Sequence, residues 1–234
     1  MIWVGTSGYN YVEWRGTFYP PALPSSRMLE YYSARLSTVE INYSFYRMPS
    51  ERTLDGWLAA VPENFRLTLK APKRITHDRR LRDCGAQVAE FCRLAGRLGS
   101  RLGALLFQLP PSLKKDLPLL DGFLQVLPPE TRAAIEFRHP SWHEEDVFER
   151  LRRRNVALCI ADSEKMTSPL LATAGFGYYR LRDEGYTPED LWHWARTIKA
   201  EWGDGREAFV YFKHEEAGKG PEFARALIEK LGET

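Results

Sequence analysis

The residues best equipped for chemistry in this chain stand at the ends of short apolar runs. They are Thr6 and Ser7, Glu40 and Asn42, Lys70, Gln108, Glu136 and Arg138, Asp162, Arg180, and Lys213 with His214. In VEIN (39–42) and IEFR (135–138) a charge lies inside an otherwise apolar segment, where it costs free energy unless it is paired. If these groups converge, Lys70, Arg138, Arg180 and Lys213 suit a phosphate or carboxylate, which arginine can grip through two parallel hydrogen bonds. Glu136 or Glu40 would then act as general base or acid, tuned by a partly dry cationic setting, and Lys70 completes the candidate catalytic set. The competing reading is structural: Glu40, Lys70, Glu136, Arg138 and Arg180 form a salt-bridge network and do nothing else.

The positions of these residues follow from the elements that carry them. Eight β-rich runs occur at 2–7, 37–42, 65–71, 103–109, 132–138, 156–162, 177–182 and 208–214. Helical patterning falls between them near 27–36, 51–60, 83–98, 117–127, 144–154, 188–201 and 221–231, while the sixth connection, 163–176, is weakly patterned. Ser141 and Glu144 read as a capping box, and Thr187 precedes Pro188 with acids in the opening turn. Eight strands alternating with helices favour a single-domain, TIM-barrel-like (β/α)8 barrel over an open doubly wound sheet, and no linker or repeat divides residues 1–234. In such a barrel the strand-end residues gather at the C-terminal mouth.

The first strand leads into GTSGYNYVEWRGTFYP (5–20), a turn followed by Tyr9, Tyr11, Trp14, Phe18 and Tyr19. It lacks Gly-Lys-Ser/Thr, so it is not a Walker A loop. Thr6, Ser7, Tyr9 and Trp14 are expected to contact a ligand, with the aromatics walling or covering the mouth. A second feature is KAPKRITHDRRLR (70–82), whose cations are Lys70, Lys73, Arg74, Arg79, Arg80, Arg82 and, when protonated, His77. With the aromatic loop it offers a groove for a nucleic-acid backbone with bases stacked on Trp14, Tyr9 or Tyr11; the plainer reading is a solvated loop. Arg150, Arg152, Arg153 and Arg154 end a helix, where cations suit the dipole.

Composition sets the outer bounds. The 234 residues are 44% hydrophobic, 13% aromatic and 27% charged, enough for a sizeable core and an ordinary surface. A net charge of +2 neither favours nor excludes nucleic acid as a partner of the whole chain. Cys84, Cys92 and Cys159 form no CxxC and suit reduced core thiols. Met1-Ile2-Trp3-Val4 is too short for a signal segment, and no apolar run approaches the ~18 residues of a membrane span, so a cytoplasmic protein without membrane contact is expected. Oligomeric state is not legible.

Several longer stretches resemble the YecE-like proteins, known as domain of unknown function 72. They are GTSGYNYVEWRGTFYP (5–20), VEINYSFYRMP (39–49), FRLTLKAPKRITH (65–77), LLFQLPPS (105–112), AIEFRHPSW (134–142), YYRLR (178–182) and VYFKHEEAGKGPEFA (210–224). The resemblance implies a TIM-barrel-like fold and carries no settled activity. Glu40, Asn42, Lys70, Gln108, Glu136 and Arg138 match the family pattern. Two places depart from it: Arg182-Asp183 stands where His-Gly often follows YYRL, and Lys213-His214 where an Asn pair often follows VYF.

Among mechanisms, a metal-dependent phosphodiesterase resembling endonuclease IV would draw on Glu136, Asp162, His139 and His214, but Lys70 and Gln108 are poor ligands, so no metal and no other cofactor is expected. His139 and His143 have the spacing of a helical metal pair, yet Pro140 and Ser141 put a helix boundary between them. Glu40 and Glu136 could flank a sugar, although strands two and five are not the familiar positions of a retaining glycosidase. Ser7 and Cys159 lack a histidine signature for nucleophilic catalysis. The expected function is therefore binding, with or without hydrolysis or other transformation, of a small anionic phosphate- or carboxylate-bearing ligand at the barrel mouth by Glu-based acid/base chemistry. A nucleic-acid-binding protein or phosphodiesterase using residues 70–82 is the alternative.

Overall fold

In the computed structural model the apolar runs close into a barrel of eight parallel strands in chain order, β1-β2-β3-β4-β5-β6-β7-β8, with β8 pairing back onto β1. The structure describes all residues except 163–166, 184, 215–217 and 234. The strands are β1 Ile2–Ser7, β2 Thr38–Ile41, β3 Arg66–Lys70, β4 Leu102–Gln108, β5 Ala133–Glu136, β6 Ala157–Ala161, β7 Phe176–Leu181 and β8 Glu207–Phe212. Helices α1 Met28–Ser33, α2 Tyr43–Tyr46, α3 Glu51–Ala60, α4 Gly85–Gly96, α5 Leu117–Val126, α6 Glu145–Arg153, α7 Pro188–Trp202 and α8 Lys219–Glu233 pack outside. The weakly patterned sixth connection has no helix over its described residues 167–175; 163–166 lie outside the described residues, as do 215–217 of the 210–224 stretch.

Helix starts follow local chemistry with one correction. Thr187 and Asp190 form a reciprocal capping box at α7, with Pro188 in the first turn, satisfying donors that the helix itself cannot. Ser141 does not cap α6. It lies within a 3-10 turn, Pro140–Trp142, where its hydroxyl accepts from the Lys115 N–H and pairs with His139 Nδ1, and α6 starts only after Glu144. Pro140 and Trp142 close that turn early, so the apparent box spans a turn-to-helix junction.

Side chains alternate across each strand, and the barrel sorts them by that alternation. Trp3, Ala104, Leu106, Ala134, Cys159, Tyr178, Phe209 and Tyr211 fill the interior. Val4, Val39, Leu67, Leu69, Leu105 and Phe107 face the helices. At the N-terminal end of the barrel Glu207 accepts from Trp3 Nε1 at 2.9 Å and pairs with Arg132 at 2.8 Å. Half-way up, the Tyr211 hydroxyl bonds Thr38 and Thr68. The C-terminal layer holds Ser7, Glu40, Gln108, Glu136 and Arg180, all buried.

The β1–β2 seam departs from a regular ladder. The Thr6 N–H donates at 2.8 Å to the Tyr32 hydroxyl, which donates in turn to the Thr38 carbonyl at 3.0 Å. The Tyr32 oxygen therefore stands in for a direct strand-to-strand bond. Gly5 permits this approach, because a Cβ there would lie 1.9 Å from the Thr38 carbonyl oxygen. Tyr32→Phe leaves two buried backbone groups unpaired and should cost about 2–4 kcal/mol, read as a lowered midpoint in urea unfolding. An unchanged midpoint would show that the seam closes without the hydroxyl.

Candidate functional site

The inward side chains at the C-terminal mouth form a hydrogen-bonded cluster around Arg180 of β7. The Arg180 Nη1 donates to Glu136 Oε2 of β5, and Nη2 donates to Glu40 Oε1 of β2 at 2.9 Å and to Ser7 Oγ of β1 at 3.1 Å. All three charges are 0–1% exposed. Burial of an unpaired charge at this depth would cost several kcal/mol, so the pairing is compulsory once the residues face inward.

Both carboxylates have their lone pairs committed. Glu40 accepts from Ser7 Oγ at 2.5 Å and from the Tyr178 hydroxyl at 2.6 Å, besides Arg180; Asn42 Nδ2 donates to Ser7 Oγ and holds it in place. Glu136 accepts from Gln108 Nε2 at 2.9 Å, and Arg182 and Arg138 approach its Oε1 at 3.5 and 3.7 Å. Burial alone would raise the Glu136 pKa, but Arg180 and Arg182 together with the Gln108 hydrogen bond outweigh it and bring the carboxyl down to about 2. Glu136 is thus a fixed anion throughout the neutral range. Glu136 and Glu40, expected as acid or base, both hold Arg180.

Lys70, at the end of β3, is placed differently. Its ammonium lies 4.2 Å from the centre of the Phe45 ring, and among the described residues no hydrogen bond or ion pair reaches it. Burial lowers its pKa first, and the Arg180 and Lys213 charges lower it further against Glu40 and Glu136, to about 8. Arg138, half exposed, and Arg182, mostly buried, complete the cationic lining with Lys213. His77 faces the other side of this group, its ring 5.0 Å from Phe45 and its pKa lowered by burial and by Lys70.

Four expected contacts lie elsewhere, and strand alternation explains three. Thr6 follows the outward phase of β1 and bonds Tyr32 and the Gly8 carbonyl. Asp162 is one residue past the inward Ala161; it accepts from the Arg182 N–H at 2.7 Å and from the Tyr186 hydroxyl, and burial raises its pKa. His214 packs against Phe223, Tyr186 and Phe212, with Nε2 2.6 Å from the Asp183 carbonyl. Trp14 is 1% exposed, packed among Tyr11, Phe18 and Tyr19 in the core, so it presents no stacking face. Tyr9 is half-buried against the same cluster and Tyr11 donates to the Ser7 carbonyl, so the first loop builds the wall behind Ser7. Gly8 turns at φ +93, where a Cβ would strike the Tyr11 ring.

Sequence reasoning did not place Arg182, Tyr178, Phe45 or His77 at the mouth. The first two follow from period two along β7, since Tyr178, Arg180 and Arg182 share a face. Phe45 and His77 come from connections and carry no such signal. Among the described residues no group of three or more His, Cys, Asp or Glu could hold a metal ion, and no helix is long and apolar enough to cross a membrane. All three cysteines are free.

Residues 3–234 match the family described as Protein of unknown function DUF72. The chain belongs to that family. It is 31% identical over 169 residues to the UPF0759 protein YecE of Escherichia coli K12, a match covering 70% of this chain and 60% of that protein. A DUF72 family protein of Thermotoga maritima superposes over the full length of both chains with a TM-score of 0.84 at 26% identity. One from Enterococcus faecalis, at 18% identity, covers 99% of this chain and 96% of its own with a TM-score of 0.82 and supports the barrel alone. None of these names specifies an activity for the DUF72 mouth, so the reading of the site rests on its residues.

The Arg180 pairing makes a signed pH prediction. Glu136 has its pKa depressed in the folded state, so its contribution to stability is present above the unfolded carboxyl value and is lost as pH falls toward about 2. Arg180→Met leaves Glu40 without its counter-charge and Glu136 with only Arg182 and Arg138, at 3.5 and 3.7 Å, should cost about 3–5 kcal/mol at neutral pH, and raises the Glu136 pKa. That variant should therefore gain stability as pH drops from 7 to 5, the reverse of the wild-type contribution, in thermal unfolding followed across pH. A parallel loss in both proteins would show that the carboxylates do not depend on Arg180.

Proposed function

We propose that this protein binds a small anionic molecule, carrying a phosphate or carboxylate, at the C-terminal mouth of the barrel. The supporting observation is a charge imbalance. Lys70, Arg138, Arg180, Arg182 and Lys213 cluster there with Glu40 and Glu136, and Arg180 occupies lone pairs of both carboxylates. Among the described residues these five cations stand against Glu40, Glu136, Asp162 and Asp183, with Asp162 tied to Tyr186 and the Arg182 backbone. A cluster richer in one sign of charge concentrates ligands of the other. Arg182 and Arg138 are the forked donors for the anion, and Lys70 is a point charge beside it. With both carboxylates bonded to Arg180, Lys70 is the group assigned to any chemistry on the ligand.

The nucleic-acid reading loses two of its supports. In the 70–82 stretch Lys73 pairs with Asp78 and Arg82 with Asp116, while Arg79 bonds the Asp83 carbonyl and Arg80 the Ser112 hydroxyl. Those side chains disperse over the surface instead of tracking a backbone, and the buried Trp14 is not a stacking platform.

Inorganic phosphate titrated into the protein should bind saturably by calorimetry and weaken with added salt. Arg182→Gln should weaken it about tenfold or more, the loss of one charge-assisted hydrogen bond. Absence of binding by phosphate and by simple carboxylates such as citrate would overturn the reading, as would identical affinity in Arg182→Gln. Short single-stranded oligonucleotides should show no salt-dependent binding.

A further inference from the structure

We propose that Lys70 is an imine-forming nucleophile, and that the molecule taken at the mouth is an aldehyde or ketone carrying the anionic group. The substrate class rests on the anion-binding reading above; the nucleophile rests on the placement of Lys70 itself.

Four observations place it. First, the backbone is held rigidly: Lys70 pairs with Leu106 in the β3–β4 register, and its carbonyl accepts from Ser44 Oγ at 2.7 Å. Second, the ammonium rests 4.2 Å from the Phe45 ring centre, a contact that locates Nζ without taking any of its protons. Third, the acids that would ordinarily neutralise a lysine at this depth are occupied. Glu40 holds Ser7, Tyr178 and Arg180, and Glu136 holds Gln108 and Arg180. Fourth, the charges facing Lys70 from the other strands are Arg180 of β7 and Lys213 after β8, which oppose its protonation, and Glu40 of β2 and Glu136 of β5, which favour it, so that burial tips the balance toward the free amine. His77, from the connection after β3, borders it too. A lysine meant only for ion pairing gains nothing from desolvation, whereas a nucleophilic amine needs it.

The chemistry balances without an external oxidant or reductant. The Nζ lone pair of the free amine adds to the carbonyl carbon, forming the C–N bond as the C=O π pair moves to oxygen and takes up a proton. The nitrogen lone pair then expels that oxygen as water. Starting from the ammonium, the sum is one carbonyl compound and Lys-NH3+ giving one protonated imine and one water. The imine nitrogen keeps the positive charge, so the electrostatic character of the mouth is conserved. The anionic group is held by Arg138 and Arg182, which orients the carbonyl toward Nζ.

The test uses the full chain, sodium cyanoborohydride to reduce any imine to a stable secondary amine, and peptide mass spectrometry to locate it. Two aldehydes are compared: glyoxylate, which carries a carboxylate, and acetaldehyde, the two-carbon aldehyde without one. At pH 7 glyoxylate should label Lys70 at least about tenfold faster than any other lysine, a margin that follows from its larger free-amine fraction. Phosphate should protect it, and Lys70→Arg, which keeps the charge and cannot form the adduct, should lose that labelling while unfolding at an unchanged temperature. Labelling of Lys70 no faster than of Lys199 or Lys230 with both aldehydes overturns the nucleophile, whatever the phosphate titration gives. Preferential labelling of Lys70 that is equal for the two aldehydes and insensitive to phosphate upholds the nucleophile and removes the anionic requirement. Labelling in Lys70→Arg at another mouth residue, Lys213, assigns the amine wrongly and also overturns the proposal.

Discussion

A guanidinium buried between two carboxylates is the constraint on which the mouth of this barrel depends. Arg180 of β7 reaches Glu40 of β2 and Glu136 of β5, so the pairing spans the barrel and joins strands that are not neighbours in the sheet. Each of the three charges would be prohibitive alone at 0–1% exposure, and each is acceptable only because the other two are present. Ser7, Asn42, Gln108 and Tyr178 supply further hydrogen bonds, while the buried Arg180 Nε has none among the described residues.

The consequence for function comes by subtraction. With both glutamates engaged, the described residues of the mouth carry more cations than carboxylates, and Lys70 among them has lost its usual solvation. Of the expected catalytic set, Glu40 and Glu136 are engaged by Arg180, whereas no hydrogen bond or ion pair reaches Lys70 among the described residues. The same logic accounts for the first loop. Trp14, Phe18 and Tyr19 enter the core, so the loop backs the strand end that carries Ser7.

The fold was legible in the sequence because strand and helix alternate with different periods. Every one of the eight runs corresponds to a strand, and helix boundaries such as Glu51–Ala60 and Pro188–Trp202 agree closely with the pattern. The membership of the site was legible only in part. Strand ends identify a neighbourhood, but facing is decided by alternation, and Thr6, Asp162 and His214 lie on the phase opposite to Ser7, Arg180 and Lys70. Arg182 lies on the correct phase and joins Glu136 at 3.5 Å, which counting by two from Arg180 could have shown. The commitment of Glu136 and Glu40 to Arg180 was not legible, since it depends on β2, β5 and β7 facing one another across a closed barrel. Phe45 and His77 come from connections whose path no local pattern specifies.

The protonation state of Lys70 is the observable in which the buried ion pairs, the excess of cations and the reactive amine meet. With the lysines labelled with nitrogen-15, the Lys70 ammonium can be followed by NMR as pH is raised. Lys70 is expected to titrate near pH 8, well below the surface lysines, and its titration should move upward when phosphate is added. Titration of Lys70 together with the surface lysines, unmoved by phosphate, would contradict the assignment of Lys70 as the reactive group of an anion-binding mouth.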